Sequence, residues 1–226
     1  MRGFFSLDGS FSKFGSFIAD IMILSLMWLL FSLPLLTIGA ATSALFYVST
    51  RRIAEREGYI TADFWRAFKE NFKRATIIWL IMLAVLLLVI FNISVLGELG
   101  DIARFILPVQ IVILAQLALV SVYVFPVVAR FDMSVAQAVK SSFFMSIRHF
   151  FTSFSCIVIM LGVVMVVLHA PLLFFVAPGL YAMFSSYMIV RVFKKYHPDM
   201  DKDPMLEIQE IEAAKAEERR KNEQKL

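Results

Sequence analysis

Three histidines and one cysteine are the side chains of this sequence best suited to bind a metal or to act as a nucleophile. His149, His169 and His197 are separated by 20 and 28 residues, and no H-E-x-x-H pattern or Cys/His cluster is present. The single Cys156 lies in an apolar run and cannot form an intramolecular disulfide. We therefore predict no metal, no cofactor and no catalytic residue in this chain.

Sequence motifs for phosphate binding are also absent. Neither G-x-x-x-x-G-K-[ST] nor G-x-G-x-x-G occurs, so the chain alone is not expected to bind or hydrolyse ATP. The basic cluster at 219–221 is short and is balanced by acidic neighbours, which does not indicate nucleic-acid binding.

Polar residues inside apolar runs are the remaining candidates, because such residues often mark transport pathways. The candidates are Asp20, Asn92, Gln110, Gln116 and His169. Only the two glutamines are deep in their runs, and both are neutral, whereas a proton- or ion-coupled transporter normally carries a deep ionisable group. We expect hydrogen bonds between helices at these positions. A membrane-embedded enzyme would require Asp20, Asn92 and His169 to converge.

Three prolines interrupt two of the apolar runs. Pro108, Pro126 and Pro178 each remove a backbone donor, and Pro178 with Gly179 is the expected break near the middle of the last run. The carbonyl that a proline leaves without a partner can line a binding cavity. We favour a simple kink without a ligand.

The elements that carry these residues are membrane helices. Of the 226 residues, 60% are hydrophobic and 18% charged, and the mean hydropathy is +0.78; soluble domains are about 45–50% apolar and about 25% charged. A crossing helix needs about 20 apolar residues, so several crossings fit and a large soluble domain does not. We predict an all-α, polytopic membrane helix bundle.

Five apolar runs are long enough to span a bilayer, and a sixth, at 38–50, is shorter and less apolar. The five clear runs are at about 15–36, 76–96, 102–129, 150–170 and 172–193. Pro34 and Gly39 can turn the chain before the weak run, which ends in two arginines. We predict a membrane domain of six helices at 1–195 and a charged cytoplasmic tail at 196–226.

The positive charges predict the orientation, because basic residues near span ends remain cytoplasmic. With six spans and the N-terminus inside, 21 of the 22 basic residues fall in inner segments, and the exception, Arg104, has Glu98 and Asp101 nearby. Without the weak span, basic segments would lie on opposite sides of the membrane. We predict that both termini are cytoplasmic and that any soluble partner contacts the inner side.

Two inner segments have the pattern of amphipathic helices that lie in the membrane interface on the cytoplasmic side. In 61–75 the aromatic and the charged residues form opposite faces, and in 134–149 Ser134 and Gln137 form a capping box at the start of a similar helix. The candidate contacts for a partner or for lipid headgroups are Trp65, Arg66, Lys69, Lys73, Arg74, Lys140 and Arg148. Anchoring to the inner leaflet and coupling to a cytoplasmic protein both remain open.

The two segments share a local pattern, A-F-K-x-x-F at 67–72 and A-V-K-x-x-F at 138–143. Two copies of span, amphipathic helix and span would form a parallel repeat. A chance match in a sequence of biased composition is the alternative.

Three stretches carry a family resemblance: GAATSALFY at 39–47, FWRAFKENFK at 64–73 and YVFPxxARF at 123–131. In order and spacing they are similar to the YesL-like family of bacterial integral membrane proteins of unknown function, and the resemblance covers about residues 5–195. It implies a multi-pass protein of the bacterial cell membrane. Such proteins are typically encoded beside carbohydrate ABC importer components and glycan-degrading enzymes.

The resemblance implies a non-enzymatic accessory subunit that stabilises or regulates the permease of an ABC-type oligosaccharide importer. An independent small-solute transporter or channel is the first alternative, and a membrane-embedded enzyme is the second. The family offers no catalytic residue to carry over. The sugar, the partner and the oligomeric state stay open.

Overall fold

The computed structural model describes residues 10–55, 59–96 and 103–196, and the regular structure there is entirely helical. The seven α-helices are α1 Ser10–Ser32, α2 Ile38–Glu55, α3 Ile60–Leu96, α4 Ala103–Arg130, α5 Val135–Arg148, α6 Phe150–His169 and α7 Ala177–Tyr196. Short 3-10 helices precede α2 and α7. The predicted all-α class is confirmed. The predicted outer turn at 97–101 and the tail beyond residue 196 lie outside the described residues.

Four helices are long and apolar enough to cross a membrane: α1, α3, α4 and α6. A multi-pass membrane protein is therefore confirmed. α2 and α7 do not reach the same apolar content over a spanning length, so the count of six crossings stays a prediction.

α2 is the central helix of the bundle, because it packs against α1, α3, α4 and α7. Most of its buried side chains are small or polar, and only three are large: Ala40, Ala41, Ser43, Ala44, Leu45, Phe46, Val48, Ser49 and Thr50. Small side chains let helix backbones approach closely. α2 has the sequence of a weak span because protein, and not lipid, surrounds it.

α3 is one continuous helix of 37 residues, about 55 Å long. The sequence predicted a separate interfacial helix at 61–75, and here the structure differs: no glycine or proline interrupts 60–96, so the amphipathic segment runs directly into the apolar one. α2 lies antiparallel to the amphipathic half. Contacts of Gly39 with Ala75 and of Arg51 with Asp63 mark the two ends of this pairing.

The prolines do not break their helices as predicted. α4 is continuous through Pro108 and Pro126, and Pro126 is fully buried in the bundle. Pro178 is the second residue of α7, where a proline costs little because the first-turn N–H groups have no helical acceptor. The predicted break in the middle of the last span is therefore wrong; the chain turns before it, through the 3-10 helix Pro171–Phe175.

α5 packs along α4 and leads into α6 with one non-helical residue between them. The predicted capping box is present, since the Ser134 side chain accepts from the Gln137 N–H and the Gln137 side chain accepts from the Ser134 N–H. His149, with φ −113° and ψ 45°, separates the two helices. α6 and α7 then form an antiparallel hairpin in which His149 Nε2 lies 3.0 Å from Tyr196 Oη.

Candidate functional site

The last turn of α2 and the first turn of α3 meet the middle of α1 in a group of ion pairs that we call the charged end. Arg52 pairs with Asp20 of α1. Arg51 Nη1 lies 2.9 Å and Arg66 Nη2 lies 3.4 Å from the same oxygen of Asp63. Asp63 keeps only 14% of its side-chain surface exposed. These charges hold the three helices together at this end of the bundle.

Tyr47 of α2 connects the charged end to α4. The guanidinium carbons of Arg66 and Arg130 each lie 6.0 Å from the centre of its ring, within the range of cation–π attraction. Arg66 also donates a hydrogen bond of 3.0 Å to Tyr47 Oη. Basic residues from two predicted inner segments therefore lie at one end of the bundle.

The aromatic residues in the amphipathic half of α3 form one connected cluster on the predicted face, because the rings of Trp65 and Phe72 lie 5.9 and 5.4 Å from that of Phe68. Phe64 and Phe68 are buried, with ring centres 5.7 and 5.0 Å from that of Phe31 in α1. Trp65 and Phe72 remain 42% and 40% exposed. The buried rings fix the rotation of α3 about its axis.

Trp65, Lys69 and Lys73 follow one another at four-residue spacing and form an exposed stripe that we call the α3 ridge. Lys69 Nζ lies 4.5 Å from the centre of the Trp65 ring. Arg74 points elsewhere: it pairs with Asp132 and donates to the Met133 carbonyl at 3.1 Å. Of the predicted contact residues in α3, Arg66 and Arg74 thus hold helices together, whereas the ridge faces outwards.

α5 presents its basic residues in a similar way. Lys140 and Arg148 are exposed, and the Arg148 guanidinium carbon lies 5.8 Å from the centre of the Tyr196 ring. Burial lowers the pKa of His149 from its ordinary value, and the positive charges of Lys195 and Arg148 lower it further. The junction of α5, α6 and α7 is therefore electropositive.

The intramembrane polar residues lie apart from one another. Gln116 Nε2 donates to Ser146 Oγ of α5 at 3.0 Å. Gln110 is buried, and its Oε1 has no hydrogen-bond partner in the described part of the chain. Asn92 is 29 residues along α3 from the charged end, about 43 Å away. Asp20 and Asn92 therefore do not converge.

The histidines and the cysteine are likewise separated. His169 Nδ1 lies 2.9 Å from the carbonyl oxygen of Met165, within its own helix. Cys156 is buried, and His197 lies outside the described residues. Among the residues that the structure describes, no three His, Cys, Asp or Glu side chains are close enough to hold a metal ion.

One contact between α1 and α7 was not anticipated from the sequence. Ser25 Oγ donates to the Val176 carbonyl at 3.0 Å and accepts from the Gly179 N–H at 2.8 Å. A side chain at Gly179 would place its Cβ 2.5 Å from Ser25 Oγ and 2.6 Å from the Ile21 carbonyl. Gly179, beside Pro178, is the sequence feature that could have indicated this contact, because a glycine lets two helices pack closely.

An apolar cavity of about 420 Å³ lies where α1, α2, α6 and α7 meet. Trp28, Phe46 and Tyr181 are among the residues that line it. At its wall, Trp28 Nε1 donates to Thr42 Oγ1 at 3.1 Å. The lining offers shape and apolar surface but few polar groups.

Comparisons with known proteins agree with the resemblance found in the sequence. Residues 21–93, which include α2 and most of α1 and α3, match a family described as a protein of unknown function, DUF624. The chain is 23% identical over 207 residues to the uncharacterized protein YesL of Bacillus subtilis (strain 168), covering 88% of this chain and 96% of that protein. No solved structure matches. The resemblance to the YesL-like family is confirmed.

Proposed function

We propose that this protein, similar to the YesL-like family, is a non-enzymatic accessory subunit of an ABC-type oligosaccharide importer. It would pack against the permease in the bacterial plasma membrane, with both termini in the cytoplasm. The α3 ridge carries the proposal, because it is a fixed, exposed surface at the charged end with two lysines and a tryptophan. The choice of partner comes from the family resemblance.

The ridge is suited to bind a protein because the rest of α3 holds it in place. Phe64, Ala67 and Phe68 bury the adjoining face against α1 and α2, and the Trp65 ring stacks on that of Phe68. Binding would therefore cost little ordering of the backbone. A partner with acidic side chains and an apolar contact for Trp65 would match its chemistry. A cytoplasmic loop of a permease can supply both.

The polar groups inside the membrane helices favour a structural role for the spans. Gln116, Ser25, Thr42 and Trp79 each form a hydrogen bond to another helix or to the turn before α2. Groups engaged in this way stabilise helix packing.

Affinity purification of the tagged full chain in a mild detergent tests the proposal. We expect permease subunits to co-purify with the wild type and to be lost with the double variant Lys69→Glu, Lys73→Glu, because the reversed charges repel an acidic partner surface. The matched control is Lys140→Glu, Arg148→Glu, which reverses two charges on α5. Purification of the wild type as a monomer or homodimer, or equal recovery with both variants, would refute the role.

The orientation has its own test. A reporter fused after Gly58 is expected to lie in the cytoplasm, because the basic residues on both sides of it are retained there. An external signal would overturn the predicted topology.

A second candidate, an independent small-solute transporter or channel, is favoured only by the apolar cavity. Its volume of about 420 Å³ lies in the range of small-molecule sites. Its lining suits an apolar solute better than a sugar, which needs many hydrogen bonds. Solute-dependent flux in proteoliposomes that contain the purified protein alone would support this alternative over the accessory role.

A further inference from the structure

A second cavity, of about 590 Å³, lies between α5 and the end of α7. Its apolar lining includes Met133, Phe144 and Met145, and its basic lining consists of Lys140 and Arg148. Tyr196 completes the wall. Apolar and cationic groups therefore line the same opening.

The sequence around this cavity has no negative charge of its own. Residues 133–196 contain five basic residues and no Asp or Glu. The preceding acid, Asp132, pairs with Arg74 of α3. At the charged end, by contrast, Asp20 and Asp63 accompany the arginines. Acids thus accompany the basic residues at the charged end, whereas the described segment 133–196 supplies none to this cavity.

The wall of the cavity is held in a defined position. Tyr196 Oη lies 3.0 Å from His149 Nε2, and the guanidinium of Arg148 lies against the Tyr196 ring. The pKa of His149 is lowered, first by burial and then by Lys195 and Arg148, which agrees with a positive local field. The site is therefore suited to a negatively charged group.

We infer that this cavity binds an anionic phospholipid. Lys140 and Arg148 face the phosphate, and an acyl chain lies over Phe144 and Met145. Basic pockets between membrane helices recognise anionic headgroups in this way. The apolar floor favours a lipid over inorganic phosphate or an acidic peptide, neither of which would use it. The inference does not depend on the accessory role, since the α3 ridge is a separate surface.

Lipid binding to the full chain, purified in a neutral detergent, tests the inference by native mass spectrometry. We expect phosphatidylglycerol to be retained in preference to phosphatidylcholine with the same acyl chains. The variant Lys140→Gln, Arg148→Gln should bind phosphatidylglycerol about thirtyfold more weakly, from about 1 kcal/mol for each basic residue. The matched control Lys69→Gln, Lys73→Gln should bind it like the wild type.

Two further experiments distinguish binding of the whole lipid from binding of its headgroup alone. Phe144→Gln should weaken phosphatidylglycerol binding while both basic residues remain. Glycerophosphoglycerol and inorganic phosphate should not compete at the same concentration, because they lack acyl chains. Equal retention of the two lipids, equal binding by the two charge variants, or displacement by inorganic phosphate would each overturn the inference.

Discussion

Two helix pairs share one burial pattern but differ in the charges around them. The first pair is α2 with the first half of α3, and the second is α4 with α5. Ala67, Asn71 and Ala75 form the buried stripe of α3, and the residues 71 positions later, 138, 142 and 146, form that of α5. Phe72 and its counterpart Phe143 are 40% and 41% exposed. The shared pattern seen in the sequence therefore corresponds to shared helix packing.

The two pairs differ in whether the helix continues after the buried stripe and in the number of nearby acidic residues. α3 continues without interruption into its apolar half, whereas His149 separates α5 from α6. The first pair has Asp20 and Asp63 beside its arginines, and the second has no acid between 133 and 196. The same packing can thus support a charge-balanced helix junction in one place and an electropositive cavity in another.

Because α2 approaches α3 closely at Gly39, we expect a substitution there to have the largest effect on stability. A Cβ there would lie 2.5 Å from the Ala75 carbonyl oxygen, which belongs to the backbone and cannot move aside. We expect Gly39→Ala to destabilise the protein by about 3 kcal/mol, measured as a lower thermal unfolding midpoint in detergent. Gly162→Ala in α6 is the matched control, because nothing lies within 4 Å of its added Cβ. Equal midpoints for the two variants would contradict the close approach.

The equivalence of the two buried stripes predicts similar costs at Ala67 and Ala138, which are both fully buried. Ala67→Leu and Ala138→Leu should each destabilise the protein by about 1–3 kcal/mol, because a larger side chain overpacks the helix contact. Ala62→Leu and Ala136→Leu, at exposed positions of the same helices, should leave the unfolding midpoint nearly unchanged. A large loss in α3 with none in α5 would show that the second pair is not packed like the first.

Substitutions of the two acidic residues Asp63 and Asp132 should differ in cost by a smaller amount. Asp63 accepts from two arginines and is 14% exposed, whereas Asp132 is 97% exposed. Asp63→Asn should cost about 1–2 kcal/mol, because it removes a largely buried carboxylate that two arginines share. Asp132→Asn should cost less than about 0.5 kcal/mol, as for an exposed pair. Chemical denaturation of the two variants in the same detergent measures the difference; equal losses would remove Asp63 as the central acid of the charged end.

Much of the fold could be predicted from the sequence, because hydropathy and charge act locally. The apolar runs, the start of a helix at residue 38 and the start of α5 at its capping box were all predictable. The continuity of α3 and the position of Pro178 were not, because hydropathy reports where the environment changes and not where the backbone bends. An amphipathic segment has the same pattern whether its apolar face meets lipid or another helix.

The candidate site was predictable in composition but not in geometry. The sequence marked Arg66, Lys69 and Arg74 alike as basic residues of one amphipathic segment. Their roles differ because Arg66 contacts Asp63 one turn earlier in α3 and Tyr47 of α2, whereas Arg74 contacts Asp132, which the packing of α3 against α4 places beside it. Only Lys69 of the three belongs to the exposed ridge.

By itself, the sequence determined that this protein is a helical membrane protein and that its basic residues are concentrated in a few segments. Burial of apolar side chains and avoidance of charge in lipid are enough to fix both. The tertiary structure decided that α2 is central, that Gly39 and Gly179 are contact points, and which lysines and arginines remain exposed. These depend on residues distant in the chain, whose contacts no local pattern records.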